Sequence, residues 1–193
     1  NAELPRFNAF LARLGYVLAR EGRHVADVAV LYPIQTQYAG HRLDGPKGYY
    51  EGGVDVAGTD YPLVSHILTD DLGIDFTYLH PEVIDDRCTV SPGRLDMNNP
   101  VNHEHFAVLV LPGVKVISLS NMRTVEAAWQ QGVKVIFTTQ CPCQSADGPE
   151  GDAEVQAIVA RMLASTANQA RFLSAPTAAA QAEAPHEPRA PTL

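Results

Sequence analysis

The stretch Phe106-Ala-Val-Leu-Val-Leu111 is apolar without interruption and stops at Pro112-Gly113. A strand with one face in water alternates apolar and polar residues; this run does not, so it has to be covered on both sides, as at the centre of a parallel sheet. The residues after Gly113 fit that placement. Ser120 can cap a helix carrying Val125, Ala128 and Trp129 to Gln131, Gly132 closes it, and Val133 to Thr138 is a second buried strand, so the unit reads as βαβ. Upstream, Val25 to Tyr32 and Ile74 to Leu79 have the same strand character. Between them Thr59 or Asp60 can cap a helix with Tyr61, Leu63, Val64, Ile67, Leu68 and Leu72, ended by Gly73. Strands alternating with helices predict an α/β fold: an open parallel sheet with helices on both faces, flavodoxin-like or class I glutamine amidotransferase-like, its first strand lying between the second and third.

The remaining segments are placed around that sheet. Leu4, Phe7, Phe10, Leu11, Leu14, Val17 and Leu18 recur at three- and four-residue spacing, which predicts an amphipathic helix from Pro5 to Glu21, with Gly22 free to take the left-handed conformation behind it. Residues 1–22 are expected to be a leading helix from an upstream domain, and residues 23–173 the α/β domain. Gln35 to Gly58 reads as a long loop, and a long loop in a compact domain favours a contact role. A short helical turn is expected around Val83 and Ile84, and small edge strands around the turns at Ser91-Pro92-Gly93 and Asn98-Asn99-Pro100. Asp152 to Ala164 forms the last helix, and residues 174–193, rich in Ala and Pro, are expected to be a disordered tail.

Composition narrows the function. With 14 Lys+Arg against 22 Asp+Glu the formal charge is −8, so a nucleic acid would meet net repulsion. No apolar run reaches the roughly 20 residues of a membrane-spanning helix, and no membrane partner is expected. Three cysteines, Cys88, Cys141 and Cys143, are too sparse for a stapled scaffold and read as free thiols.

Ligands of an open parallel sheet sit at the carboxyl ends of its strands. There Tyr32-Pro-Ile-Gln-Thr-Gln37 lacks the glycine-rich turn that cradles phosphate, so no cofactor is expected. After Leu111 comes Pro112-Gly113-Val114-Lys115, with no Ser or Cys where a nucleophile elbow would hold one. Cys141-Pro-Cys143 supplies at most two zinc ligands. His103 and His105, alternate residues of an extended segment, point to one side and form a weak metal alternative without an identifiable third ligand. Glycoside hydrolysis needs two carboxyl groups about 5–10 Å apart; Glu51, Asp55 and Glu82 are the candidates, against the ordinary reading of solvated surface charges. Gln35, Gln37, Tyr38, Tyr49, Tyr50 and Glu51 are the candidate substrate contacts, the tyrosines because each joins an apolar ring to a polar tip.

Arg13-Leu-Gly-Tyr-Val-Leu18, the run Gly22 to Ile34, Val108 to Gly113 and Gly132 to Ile136 together resemble the amidotransferase-like module of large α-L-rhamnosidase-type glycoside hydrolases, family 106 and its relatives. The resemblance covers about Phe7 to Leu163, departs from the pattern at Val133, and is most specific from Arg23 to Ile34. It implies a module that follows a catalytic barrel, with the hydrolytic carboxylates mainly in the barrel, and an exported or periplasmic setting. The expected function is therefore accessory and non-catalytic, supporting a sugar-binding cleft, with carbohydrate or an upstream barrel as partner and self-association possible through the leading helix. The alternative is a small stand-alone glycoside hydrolase using the loop carboxylates.

Overall fold

The computed structural model describes residues 3–22, 24–41, 56, 58–98, 103–166 and 170–173. Its centre is a five-stranded parallel sheet of β1 (Val28–Leu31), β2 (Phe76–Leu79), β6 (Val108–Pro112), β8 (Lys134–Thr138) and β10 (Arg171–Leu173). The order β10-β8-β6-β1-β2 puts the first strand between the second and third of this sheet, the flavodoxin-like arrangement that the alternation predicts. A three-stranded antiparallel sheet, β3 (Cys88–Ser91), β4 (Arg94–Asn98) and β5 (His103–Phe106), lies beside it, and β7 (Val116–Ile117) pairs with β9 (Gln144–Ser145).

Parallel register decides which side chains share a face. Leu79, Leu31, Leu111 and Phe137 stand in one row on one face, with Ala29, Leu109 and Val135 in the next, and all are almost completely buried. This face packs on α4 (Pro81–Arg87) through Ile84, on α5 (Leu119–Gln130) through Met122, Val125 and Ala128, and on α6 (Asp152–Ala164) through Val155, Ile158, Val159 and Met162. Leu95 and Phe106 of the antiparallel sheet complete the same core. The opposite face is thinner: Val28, Val30 and Val110 pack with Val64 of α3 (Tyr61–His66), and Val108 and Ile136 are only partly covered.

Several elements differ from the sequence expectation for physical reasons. The run Phe106 to Leu111 is two strands, because the chain bends at Ala107 and passes from β5 into β6. Val25 is 69% exposed and lies outside β1, which starts at Val28. Part of the expected loop is helical, as Ile34–Gly40 forms α2. Ser118, not Ser120, caps α5, its hydroxyl accepting from the Asn121 N–H at 3.3 Å. The leading helix is α1 (Leu4–Tyr16), continued to Glu21 by a wider turn in which the Gly22 N–H reaches the Val17 carbonyl at 2.6 Å. Gly22 ends it in extended backbone, φ −85°, not in a left-handed turn. The residues from Ser174 onward lie outside those described.

Among the described residues no helix is long and apolar enough to cross a membrane. No residue of α1 is buried, so the leading helix contributes nothing to the core. Leu109→Ala, which empties the better-covered face, is expected to cost about 2–5 kcal/mol. Arg13→Ala, exposed on a helix that buries no side chain against the described residues, should stay within about 0.5 kcal/mol. Chemical unfolding midpoints of the two variants check the contrast.

Candidate functional site at the carboxyl edge of the sheet

The sheet's order reverses between β1 and β6, and a ligand crevice is expected there, outside the carboxyl ends of the strands. In this protein the chain itself occupies that position. Gly113 follows β6 with φ 56°, and a Cβ on it would lie 2.1 Å from the Gly58 carbonyl oxygen and 2.6 Å from the Thr59 Cα. Only glycine permits both that dihedral and that approach. The turn that could have carried a nucleophile is thus lidded by residues 58–60.

The lid is held by polar contacts. Asp60 is buried and its two carboxylate oxygens accept from the Thr138 hydroxyl at 2.8 Å and the Thr139 hydroxyl at 2.7 Å. Thr139 has φ 58°, a strained value for a β-branched residue, and its bond to Asp60 helps offset that strain. Gln140 donates to the Gly113 carbonyl at 2.8 Å, closing the loop after β8 onto the loop after β6.

Two of the expected substrate contacts turn out to support the chain itself. The Gln35 side-chain carbonyl accepts from the Ser118 N–H at 3.0 Å, at the start of α5. Gln37 donates to the Thr59 hydroxyl at 3.0 Å and accepts from the Val56 N–H at 3.2 Å, so both ends of its amide hold the lid. Tyr38 is 76% exposed on α2. Glu82 stands in the first turn of α4, its carboxylate 84% exposed and 3.9 Å from the His80 ring. Tyr49, Tyr50, Glu51 and Asp55 lie outside the described residues.

Beside the lid is a group that no local sequence pattern assembles. Tyr32 at the end of β1 meets Tyr61 at the start of α3 edge to face, centroids 5.3 Å apart, and Tyr78 of β2 at 6.0 Å. His80 stacks on Tyr32 at 6.4 Å, and Phe76 meets Tyr78 at right angles at 5.0 Å. Tyr78 remains 41% exposed, and the Ser65 hydroxyl bonds the Tyr78 phenol. Three of these rings, Tyr32, Phe76 and Tyr78, come from segments read as strands, where an aromatic counts as core, and nothing in the sequence marks that their partial exposure coincides.

A second polar cluster sits at the opposite, amino edge. His24 lies between two carboxylates, Nδ1 2.6 Å from Glu104 and Nε2 2.7 Å from Asp75, and Thr77 donates to Glu104 at 3.0 Å. Hydrogen bonds to Asp75 and then Glu104 raise the His24 pKa, outweighing its partial desolvation. Glu104 is buried, so this contact ties the segment before β1 to β5.

His103 and His105 do share one side of β5, but they face across to β4: His105 Nδ1 is 2.5 Å from Asp96 and His103 Nδ1 is 3.2 Å from Asn98. Burial pushes the Asp96 carboxyl up, while hydrogen bonds from Ser91 and His105 and the charge of Arg94 outweigh it and hold the pKa below its ordinary value. Among the described residues no group of three or more His, Cys, Asp or Glu side chains is placed to hold a metal ion. Cys88, Cys141 and Cys143 form no disulfide. Burial, with the nearby Asp85 charge, pushes the Cys88 thiol up to about 12, and burial also raises Cys141. A thiol so far from its thiolate is a poor nucleophile at neutral pH.

No protein-family model matches this chain, and no curated protein matches it. One solved structure to which it is similar is a rhamnosidase from Novosphingobium sp. PP1Y, at 19% identity and a TM-score of 0.48. The match takes in 86% of this chain and only 14% of that protein.

Two outcomes test the geometry. Gly113→Ala is expected to destabilise by about 1–3 kcal/mol or more, since strain at a left-handed position adds to a clash with backbone, as thermal unfolding would report. For His24 the folded pKa lies above the unfolded 6.5, so its stabilising contribution is complete below pH 6.5 and is lost as pH rises through the raised value. The gap in unfolding midpoint between the parent and His24→Gln should therefore narrow from pH 6.5 upward, with the imidazole resonance titrating above 6.5 by NMR.

Proposed function

We propose that this chain is a non-catalytic, carbohydrate-contacting accessory module of a larger glycoside hydrolase, presenting the carboxyl edge of its sheet to a sugar or to the cleft of a neighbouring catalytic barrel. The observation that carries this reading is the pairing of a switch point covered by residues 58–60 with a partly exposed aromatic group beside it. A hydrolase working here would need two carboxyl groups across an accessible crevice. Asp60 is buried and spends both oxygens on threonine hydroxyls, and the crevice over Gly113 is filled by residues 58–60.

The aromatic group supports contact with sugars in particular. Pyranose rings present C–H faces to aromatic rings and hydroxyls to polar tips, and tyrosine offers both. Tyr32, Tyr61 and Tyr78 lock one another edge to face, so the surface is already organised and little side-chain entropy is lost on contact. Tyr38, exposed on α2, is a further aromatic side chain open to contact, and the resemblance of Gly22 to Ile34 and Val108 to Gly113 to the rhamnosidase-type module agrees in direction.

The test is a panel of monosaccharides and oligosaccharides, rhamnosides included, followed by NMR shift perturbation and paired with an aryl-glycoside assay. Expected are millimolar-range binding that perturbs Tyr32, Tyr61 and Tyr78, its weakening by roughly tenfold in Tyr78→Ala, the scale of one lost aromatic contact, and no turnover. Turnover abolished by Glu51→Gln or Asp55→Asn in a folded protein would replace this reading with that of a stand-alone hydrolase.

A further inference from the structure

The leading helix carries a pattern that neither the sheet nor the proposed sugar contact uses. Leu4, Phe7, Leu11, Leu14 and Leu18 succeed one another at intervals of three and four, the a/d spacing of a heptad seam. Phe10 and Val17 widen the stripe on one flank. All seven are 41–64% exposed, and no residue of α1 is buried.

We propose that α1 pairs antiparallel with α1 of a second copy of this chain, making a two-fold dimer whose seam is formed by residues 4–14. In that alignment Leu4 of one copy meets Leu14 of the other and Phe7 meets Leu11, four apolar layers in all, and the two Phe10 rings meet beside the axis. The seam ends before the wider turn at Val17–Glu21, so it needs only regular helix.

Three observations select this occupant and orientation. Size is the first. Large apolar side chains offer on the order of 150–250 Å² each, so the five apolar residues of the seam, Leu4, Phe7, Phe10, Leu11 and Leu14, about half exposed, leave roughly 500 Å² per copy, about 1,000 Å² per pair, the size of a weak, concentration-dependent interface. Charge placement is the second: the charges of α1, Arg6 and Arg13, stand off the seam at one equivalent heptad position, and Glu3 beside it is paired with Arg6 at 3.5 Å. No like charge therefore opposes self-pairing at the seam. Charge distribution is the third. Residues 1–24 hold four Arg against two Glu, so the remainder of the chain carries −10. Antiparallel helices set these two acidic bodies at opposite ends, whereas a parallel pair would crowd them together.

Sedimentation equilibrium of the full chain, across a series reaching roughly 100 µM to span the micromolar affinities of small interfaces, should show a monomer–dimer equilibrium. Leu11→Glu places a charge in the seam and is expected to weaken association by roughly a hundredfold; Ala9→Glu, on the far side of the helix, should leave it unchanged. Since α1 buries no residue against the body, both variants keep the folded domain, which near-ultraviolet circular dichroism would confirm. Small-angle scattering of the dimer should give a two-lobed distance distribution. A monomer throughout the series overturns the proposal, as does a dimer insensitive to Leu11→Glu. Binding of monomer to phosphatidylserine-containing vesicles without any dimer assigns the stripe to a lipid surface, and a compact single-lobed dimer overturns the antiparallel arrangement.

Discussion

The backbone of Gly58, Thr59 and Asp60 lies directly over Gly113, and most of what is distinctive in this protein depends on that contact. It is possible only because position 113 has no side chain and takes a positive φ. The contact brings with it the burial of Asp60, the two threonine bonds that fix the end of β8, and the start of α3, whose Val64 closes the thinner sheet face. An open α/β sheet normally leaves a crevice at its switch point for a ligand. Here folding fills it with the chain, and the partly exposed aromatic rings stand to one side, at the ends of β1 and β2.

Two of the buried carboxylates among the described residues, Asp60 and Glu104, illustrate different solutions to one problem. A carboxylate taken from water needs hydrogen bonds or a countercharge. Asp60 is met by neutral hydroxyls on the strained turn after β8, giving a contact that depends on backbone geometry. Glu104 is met by Thr77 and by His24, whose other nitrogen binds Asp75, giving a contact that depends on protonation. The first fixes the carboxyl edge of the sheet. The second joins the segment behind the leading helix to both sheets at the amino edge, so the sheet is pinned at one end by shape and at the other by charge.

Much of the fold was legible because burial on both faces leaves an uninterrupted apolar string. The central strands and their order follow from that signal, and α6 has the bounds that its apolar stripe implies. The same signal hid the division of Phe106 to Pro112, since Phe106, the last residue of the antiparallel strand, is as fully buried as Leu109 and Leu111 of the parallel one. Helix α2 lacks a repeating stripe; it is placed by Thr36, whose hydroxyl donates to the Val116 carbonyl and accepts from the Lys115 and Val116 N–H groups. Strand β10 is three residues long and gains its identity from pairing with β8. The sites were less legible for a plain reason of distance along the chain. Asp60 and Thr138 are 78 residues apart, and His24 and Glu104 are 80 apart, so no local spacing announces them. Gln35 and Gln37 were legible as polar groups near the carboxyl edge, but not as groups already committed to Ser118, Thr59 and Val56.

The distribution of apolar surface points in the same direction as the sealed crevice. One face of the sheet is closed by three helices and a second sheet, while the other is closed mainly by α3, and the leading helix has no buried residue at all. The proposed reading as a contact module rather than a hydrolase draws on this apolar and aromatic surface at the periphery. The rings of Tyr32, Tyr61 and Tyr78 make the distinction concrete. Held edge to face against one another, they are already organised, which lowers the entropic cost of meeting a flat partner.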